Sequence, residues 1–274
     1  MPDELDYWLG NLRSNFEENK EILLGLDFEK EAKLDNEVKI FLSSHPASPG
    51  HGFDHHNKVR TFTTITGVVN DSDIDDIQTC RYGAMLHDHL KETGRAGKGP
   101  HNWPELRKLT KNLMDNAKIE SRYLPKVIEV IEQHETDDSS KRNIIGNNLY
   151  EADTVDITHL PRSFSFAQEI ERKKKGTYDK ADKILNDYLA YHITPATPIT
   201  SVGRKMFNKG KKWSISALQK LKEDLGERDV SKYFNFLNEN WKLNQKGAPQ
   251  VLKGILSLYR ENLPNYDINL RKFL

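Results

Sequence analysis

The sequence predicts an all-α protein of 274 residues. Apolar residues recur every three or four positions through most of the chain, which is the spacing of one buried helix face. Strict alternation of apolar and polar residues, the pattern of a half-buried strand, is nearly absent. Glycine and proline gather in short breaks between these segments, where they would end a helix. The chain is long enough for one large hydrophobic core or two small ones.

Composition predicts a soluble, cytoplasmic protein. Charged residues make up 30% of the chain, and the mean hydropathy is −0.75. No apolar run is long enough to cross a membrane, and the acidic start lacks the basic-then-apolar pattern of a signal peptide. Cys80 is the only cysteine, so no internal disulfide can form, and a reducing compartment fits. The 41 acidic and 41 basic residues cancel, which gives no argument for nucleic acid or membrane binding.

The first predicted unit is an N-terminal helical cap over residues 1–44. Apolar side chains such as Leu5, Trp8 and Leu9 recur there at helical spacing, and two or three helices are expected. Nothing in this unit indicates catalysis. A loop rich in proline and glycine, His45–Phe53, separates it from the next helix.

The helix after this loop carries a histidine in its first turn. Asp54 is predicted to be the N-cap, because an aspartate side chain can accept from the free N–H groups of the first turn. His55 is then expected to face the core, and its neighbour His56 to point elsewhere. The residues that share the face of His55 are Val59, Phe62 and either Ile65 or Thr66.

A helix predicted over Asp73–His89 ends on an adjacent histidine and aspartate, His87 and Asp88. Its expected buried stripe consists of Ile74, Ile77, Gln78, Tyr82, Met85 and Leu86. If this helix packs antiparallel to the preceding one, His87 and Asp88 lie beside His55. Imidazole nitrogens and carboxylate oxygens are common metal donors, so these three residues are candidates for one metal site.

Three further helices are predicted over 104–118, 122–134 and 143–156. The second of these ends on His134, and the third turns Asp153 toward the core.

Helical periodicity continues over residues 163–192, up to a break at Thr194–Pro198. The remaining residues are rich in aromatic side chains. The sequence leaves open whether they shape a pocket or an interface between copies of the chain.

Three short motifs follow one another in a fixed order. They are Asp-His-x-x-Lys-Val at Asp54–Val59, Leu-His-Asp-x-x-Lys at Leu86–Lys91 and Glu-Ala-Asp at Glu151–Asp153. In this order, with further histidines before the last motif, the chain resembles the HD superfamily of metal-dependent phosphohydrolases over roughly residues 45–200. The resemblance implies an HD-domain helical bundle over these residues, with residues 201–274 packed on it as a C-terminal helical extension.

The resemblance also implies a metal centre. The donors to one divalent ion would be His55, His87, Asp88 and Asp153. His101 and His134 would hold a second ion, with Asp88 bridging the two. Imidazole and carboxylate together suit Mn²⁺, Fe²⁺, Co²⁺, Zn²⁺ or Mg²⁺ and do not choose among them.

Asp88 and Lys91 are the predicted catalytic residues. Lys91 lies about one helical turn beyond His87, so it faces the same way and can hold a substrate phosphate or stabilise the charge that develops on it. A flexible, basic, glycine-rich loop, Gly94–Pro104, follows and is a candidate phosphate-facing rim. The side chains expected to bind substrate are those of Lys91, Arg95, Lys98 and His51.

The predicted function is hydrolysis of a phosphomonoester or phosphodiester of a small, nucleotide-like substrate by a metal-activated water. Some HD proteins with the same ligands are diiron oxygenases, and a metal-dependent nuclease and a nucleotide-sensing module without activity are further alternatives. The basic run Arg172–Lys175 is either a solvated helix face or a rim that attracts a polyanion. Because no aromatic residues are interleaved with these bases, the run does not favour nucleic acid as the partner. No membrane partner is predicted, and homo-oligomerisation stays open.

Overall fold

The computed structural model describes residues 25–45, 51–89, 103–136 and 139–157, and positions 200, 201, 203, 204, 207, 208 and 211. Six α-helices lie in the four continuous ranges, and no strand occurs among the described residues. The helices are α1 (Phe28–Ser44), α2 (Phe53–Val69), α3 (Ile74–Leu86), α4 (Trp103–Asn116), α5 (Leu124–His134) and α6 (Ile144–Ile157). Short 3₁₀ turns at Ser121–Tyr123 and Ser139–Lys141 precede α5 and α6. The all-α prediction is confirmed for this part of the chain.

The predicted bounds of α4, α5 and α6 agree with the observed helices to within two residues. The helices predicted before residue 25 and over 163–192 lie outside the described residues, as does most of 199–274. The division into three domains therefore stays a prediction. None of the described helices is both long and apolar enough to cross a membrane.

Helix α3 lies at the centre of the described bundle. Every side chain from Ile77 to Leu86 is buried, and the burial continues through His87, Asp88 and His89. A helix that is covered on all faces needs neighbours on all sides, and α3 contacts α1, α2, α5 and α6. The predicted single stripe is therefore part of a wider buried surface. His87 and Asp88 consequently sit at the interior end of a fully buried helix.

Two local signals start α3 where the sequence predicted it. Asp73 is the N-cap, and its side chain accepts a hydrogen bond of 2.8 Å from the backbone N–H of Asp76. Asp75 and Asp76 add negative charge to the first turn, which the helix dipole favours. The regular helix ends at Leu86, and His87 and Asp88 form the turn that follows.

Helix α2 begins two residues earlier than a cap at Asp54 would allow. The N-cap is Gly52, whose backbone is extended, and its carbonyl oxygen accepts from the N–H of His55 at 2.9 Å. The prediction of Asp54 as N-cap is thus wrong, because the helix already includes Phe53 and Asp54 lies within its first turn. His55 remains in the first turn. The predicted face of Val59, Phe62, Ile65 and Thr66 is buried, as expected.

A tight turn joins α2 and α3 and folds them against each other. Asp71, in this turn, has a positive φ of 51°, and the N–H of Ser72 donates to the carbonyl of Gly67 at 2.9 Å. Gly67 also allows close helix packing, because a Cβ at this position would lie 2.8 Å from Cγ1 of Ile77. The two helices are antiparallel, since the first turn of α2 contacts the last residues of α3 through His55 and His87. The arrangement required for a shared metal site is present.

Helix α1 covers one side of α3 with apolar and ionic contacts. Leu34 and Val38 are fully buried in a core that also includes side chains of α3, α4 and α5. One turn earlier, Glu31 is buried and accepts from the guanidinium of Arg81 at 2.6 and 2.5 Å. Gln78 donates a third hydrogen bond of 2.9 Å to the same carboxylate. These contacts fix α1 along the middle of α3.

Candidate metal centre

Three helices bring four of the predicted ligands together. His55 comes from the first turn of α2, His87 and Asp88 from the end of α3, and Asp153 from α6. One ligand atom from each lies within 4.8 Å of the others. The Nε2 atoms of His55 and His87 are 3.1 Å apart, and Nε2 of His55 lies 3.4 Å from Oδ2 of Asp88. The described residues therefore contain a buried histidine and aspartate group that could hold a metal ion.

The distances within this group fit ligands of a single ion. Two donors that are each about 2.1 Å from a metal lie about 3.0 Å apart in octahedral and about 3.4 Å apart in tetrahedral geometry. Oδ1 of Asp153 is 3.5 Å from Nε2 of His55 and 3.8 Å from Nε2 of His87. Nε2 of His87 is 3.5 Å from Oδ2 of Asp88. The group leaves room for an ion without a rearrangement of helices.

The histidine tautomers present lone pairs to the centre of this group. Nδ1 of His87 lies 2.9 Å from the carbonyl oxygen of Ala84, which can only accept, so the proton is on Nδ1. Nδ1 of His55 lies 2.7 Å from Oδ2 of Asp156 and likewise donates to it. In the neutral rings, which is the form that binds metal, the two facing Nε2 atoms then both carry lone pairs. Lone pairs 3.1 Å apart repel each other, and a cation between them removes the repulsion.

Asp88 connects this group with a further histidine. Its carboxylate is fully buried, and Oδ2 lies 3.4–3.5 Å from the Nε2 atoms of His51, His55 and His87. Oδ1 instead faces His134, with Nε2 at 4.0 Å. His134 ends α5, as the sequence predicted. The two oxygens of one carboxylate therefore face different sets of candidate ligands.

His56 does not point away from the centre, and that prediction is wrong. Its ring is fully buried, stacks on His89 with centroids 5.2 Å apart and lies 5.4 Å from the ring of His87. The reason is that the end of α3 also covers the second face of the first turn of α2. Burial lowers the pKa of His56 well below its usual value and, with His87 nearby, lowers the pKa of His89 to about 3. Both rings are neutral near pH 7.

Two acidic residues at the centre were not identified from the sequence. Asp156, which holds Nδ1 of His55, lies three residues after Asp153, so the i, i+3 spacing on α6 could have indicated it. Glu135 follows His134 at the C-cap of α5, and its Oε1 is 3.0 Å from Nε2 of His134. Helical spacing gives no signal for a residue at a helix end.

The remaining predicted site residues divide into one that is described and four that are not. His51 lies at the centre, mostly buried, with Nε2 3.5 Å from Oδ2 of Asp88. The others, Lys91, Arg95, Lys98 and His101, lie outside the described residues. Their assigned roles stay predictions.

Thr200 is hydrogen-bonded to α6 next to the candidate metal centre. Glu151 is fully buried, and its carboxylate accepts from both the N–H and the hydroxyl of Thr200, the latter at 2.6 Å. The Thr200 hydroxyl oxygen in turn accepts from the N–H of Gly203 at 3.1 Å, as a helix cap does. Since Glu151 lies two residues before Asp153, this contact ties the later segment to the helix that carries a candidate ligand.

No family model and no curated protein sequence matches this chain. Solved structures do resemble it. Bacillus subtilis YpgQ in complex with ADP matches with a TM-score of 0.50 and 15% identity, covering 72% of this chain and 97% of YpgQ. A second YpgQ structure matches with a TM-score of 0.50 and 14% identity, again covering 72% and 97% of the two chains. At this identity the likeness shows a shared fold, which spans nearly the whole length of YpgQ.

Proposed function

We propose that this protein is a metal-dependent phosphohydrolase that acts on a phosphomonoester or phosphodiester of a small, nucleotide-like substrate. The observation that carries the proposal is the meeting of two imidazole lone pairs, from His55 and His87, with two carboxylates, from Asp88 and Asp153. Their order along the chain, which resembles the HD superfamily, supports a hydrolytic centre. Crystals of YpgQ with ADP support a nucleotide as the class of substrate.

A divalent ion bound by His55, His87, Asp88 and Asp153 would supply a water of lowered pKa and a Lewis acid for phosphoryl oxygens. The chain itself supplies the rest. Asp156 fixes the tautomer and the ring orientation of His55 through Nδ1. His51, whose Nε2 is 3.5 Å from Asp88, is proposed to bind the substrate.

Lys91 is proposed to neutralise charge on the transferring phosphoryl group, with Arg95 and Lys98 at the rim of the pocket. His101 is proposed as a donor to a second ion. Residues 45–200 are proposed to form the catalytic unit. His56 and His89 form a buried, neutral, stacked pair that packs next to the ligands. The pair excludes water from the centre, which strengthens the electrostatic contacts of Asp88.

The test is an assay of the full chain after metal removal and reloading with Mn²⁺, Co²⁺, Zn²⁺ or Mg²⁺, against nucleoside mono-, di- and triphosphates and a phosphodiester. Asp88→Asn is expected to lower turnover at least about a hundredfold, because it removes a buried ligand charge without changing side-chain size. Asp115→Asn is the matched control, since that carboxylate is exposed and pairs with Lys111.

Two results would contradict the proposal. Wild-type turnover by folded Asp88→Asn would place the reaction elsewhere in the molecule. Turnover that requires iron and dioxygen together, and that fails with the other ions, would replace hydrolysis with oxidation.

A further inference from the structure

A second cluster of ligand atoms lies on the side of Asp88 that faces away from His55. It consists of Asp88, His134 and Glu135, with one atom of each within 4.8 Å of the others. Nε2 of His134 is 3.0 Å from Oε1 of Glu135 and 4.0 Å from Oδ1 of Asp88. The first group uses the other oxygen of Asp88, so the two clusters share one carboxylate without competing for the same atom.

In the neutral tautomer of His134, all three ligand atoms of this cluster are acceptors. Nδ1 lies 2.5 Å from the carbonyl oxygen of Ile131 and must donate to it, so the neutral ring has its lone pair on Nε2. Nε2 is buried and has no hydrogen-bond partner among the described residues, although Oε1 of Glu135 lies 3.0 Å away. A lone pair that faces two carboxylates in a buried site is unfavourable unless a cation lies between them.

We propose that Glu135 is a metal ligand, and that it binds a second divalent cation together with His134 and the Oδ1 atom of Asp88. The inference rests on the metal centre of the proposed function and adds to it a ligand that no motif in the sequence indicates. The separation of 3.0 Å between Nε2 and Oε1 equals that of neighbouring ligands around an octahedral ion, about 3.0 Å.

The donor sets make the two sites unequal. The first site has two imidazoles and two carboxylates, and its histidines are almost completely buried. Among the described residues, the second has one imidazole and two carboxylates, to which His101 is proposed to add an imidazole, and the side chain of Glu135 is 23% exposed to solvent. A partly exposed site with two carboxylates is suited to Mn²⁺. It is expected to bind its ion more weakly and to exchange it more readily than the first.

The test counts bound ions directly. The metal-free full chain is titrated with Mn²⁺, and free Mn²⁺ is measured by electron paramagnetic resonance. The wild type is expected to bind two ions per chain in a tight and a weaker phase. Glu135→Gln keeps the size of the side chain but removes its charge, so it is expected to lose the weaker ion and keep the tight one. Retention of the tight ion also shows that the variant is folded.

Glu132→Gln is the matched control, because it makes the same change on the same helix at a carboxylate that pairs with Arg107 on the surface. It is expected to bind two ions. A wild type that binds one ion, or a Glu135→Gln variant that binds both with unchanged affinity, overturns the inference.

The proposed function is assayed separately on the same samples. A wild type that binds two ions but hydrolyses no phosphoester removes the proposed function and leaves the second cation site standing. A wild type that hydrolyses nucleotides while Glu135→Gln retains both ions removes only the role of Glu135.

Discussion

Two buried polar clusters lie along α3 and differ in how their charges are balanced. Midway along the helix, Arg81 meets Glu31 of α1, and both residues are less than 5% exposed. At the C-terminal end of the same helix, Asp88 meets His55 of α2 and Asp153 of α6. Both clusters join three helices and both remove ionisable groups from water. Burial alone therefore does not distinguish them.

The number of hydrogen-bond donors does distinguish them. In the ion-pair cluster, Arg81 donates to both oxygens of Glu31 and to the hydroxyl of Thr64, and Gln78 adds another donor. In the metal centre, the inward atoms of His55 and His87 are lone pairs, and they face carboxylate oxygens. The first cluster is balanced by its own donors, whereas the second brings together acceptors that a cation could bridge. Three predictions test this difference between the ion-pair cluster and the candidate metal centre.

Arg81→Ala is expected to cause the largest loss of stability, about 3–5 kcal/mol, because it removes the countercharge that donates to both oxygens of the buried Glu31 carboxylate and leaves Arg60, at 3.8 Å, to balance it. The measurement is urea unfolding of the metal-free protein, together with Mn²⁺ stoichiometry at low denaturant. Metal binding should be retained, since Arg81 lies two helical turns from Asp88. The control, Arg107→Ala, breaks an exposed pair with Glu132 and should cost less than about 1 kcal/mol. Equal losses from the two variants would contradict the assignment of the Glu31 cluster as structural.

Asp156→Asn is expected to weaken the tight metal ion about tenfold to a hundredfold with little loss of stability in the metal-free protein. The asparagine amide can donate to Nδ1 of His55, which would move the ring proton to Nε2 and block the ligand atom. Competition with a chelator measures the affinity, and Asp115→Asn serves as the control. Unchanged affinity in Asp156→Asn would mean that the tautomer of His55 does not depend on this carboxylate.

The sequence predicted the elements better than the contacts between them. Periodicity correctly placed the face of α2 that carries His55, because one stripe of apolar residues reports one buried face. It could not predict that α3 is covered on every side, since a helical period defines a single face. The Glu31–Arg81 pair was missed for a related reason. Its members are fifty residues apart in sequence, and no local pattern connects them.

The candidate site was predicted where the ligands belong to a motif of the resemblance, and missed where no motif includes them. His55, His87, Asp88 and Asp153 come together as the resemblance implied. Glu135 lies at a C-cap, whose geometry depends on how α5 terminates. His56 was misjudged because its burial comes from the neighbouring end of α3. A helix end takes its surroundings from the tertiary fold, and sequence spacing carries little information about them.

The smallest expected effect concerns the acid dependence of the Glu31 cluster. Burial raises the pKa of the Glu31 carboxyl, but Arg81, with Arg60 and Gln78, outweighs burial, and the pKa lies below its usual 4.5. The pKa of Glu31 is lower in the folded than in the unfolded chain. Ionised Glu31 therefore stabilises the fold at pH values above its pKa in the unfolded chain. This contribution to stability is lost as the pH falls through the pKa that Glu31 has in the folded chain.

The free energy of unfolding of the metal-free wild type should therefore exceed that of Glu31→Gln by a constant amount near neutral pH, and by less as the pH falls below about 4.5. Comparison with Glu31→Gln cancels the titration of the metal ligands, which both proteins share. Glu29→Gln on the same helix is the control, because its carboxylate is exposed and pairs with Lys33. If the difference for Glu31→Gln instead grew as the pH fell from neutrality, the buried carboxyl would be protonated in the fold. The cluster would then be held by neutral hydrogen bonds, and the contrast in charge balance between the two ends of α3 would disappear.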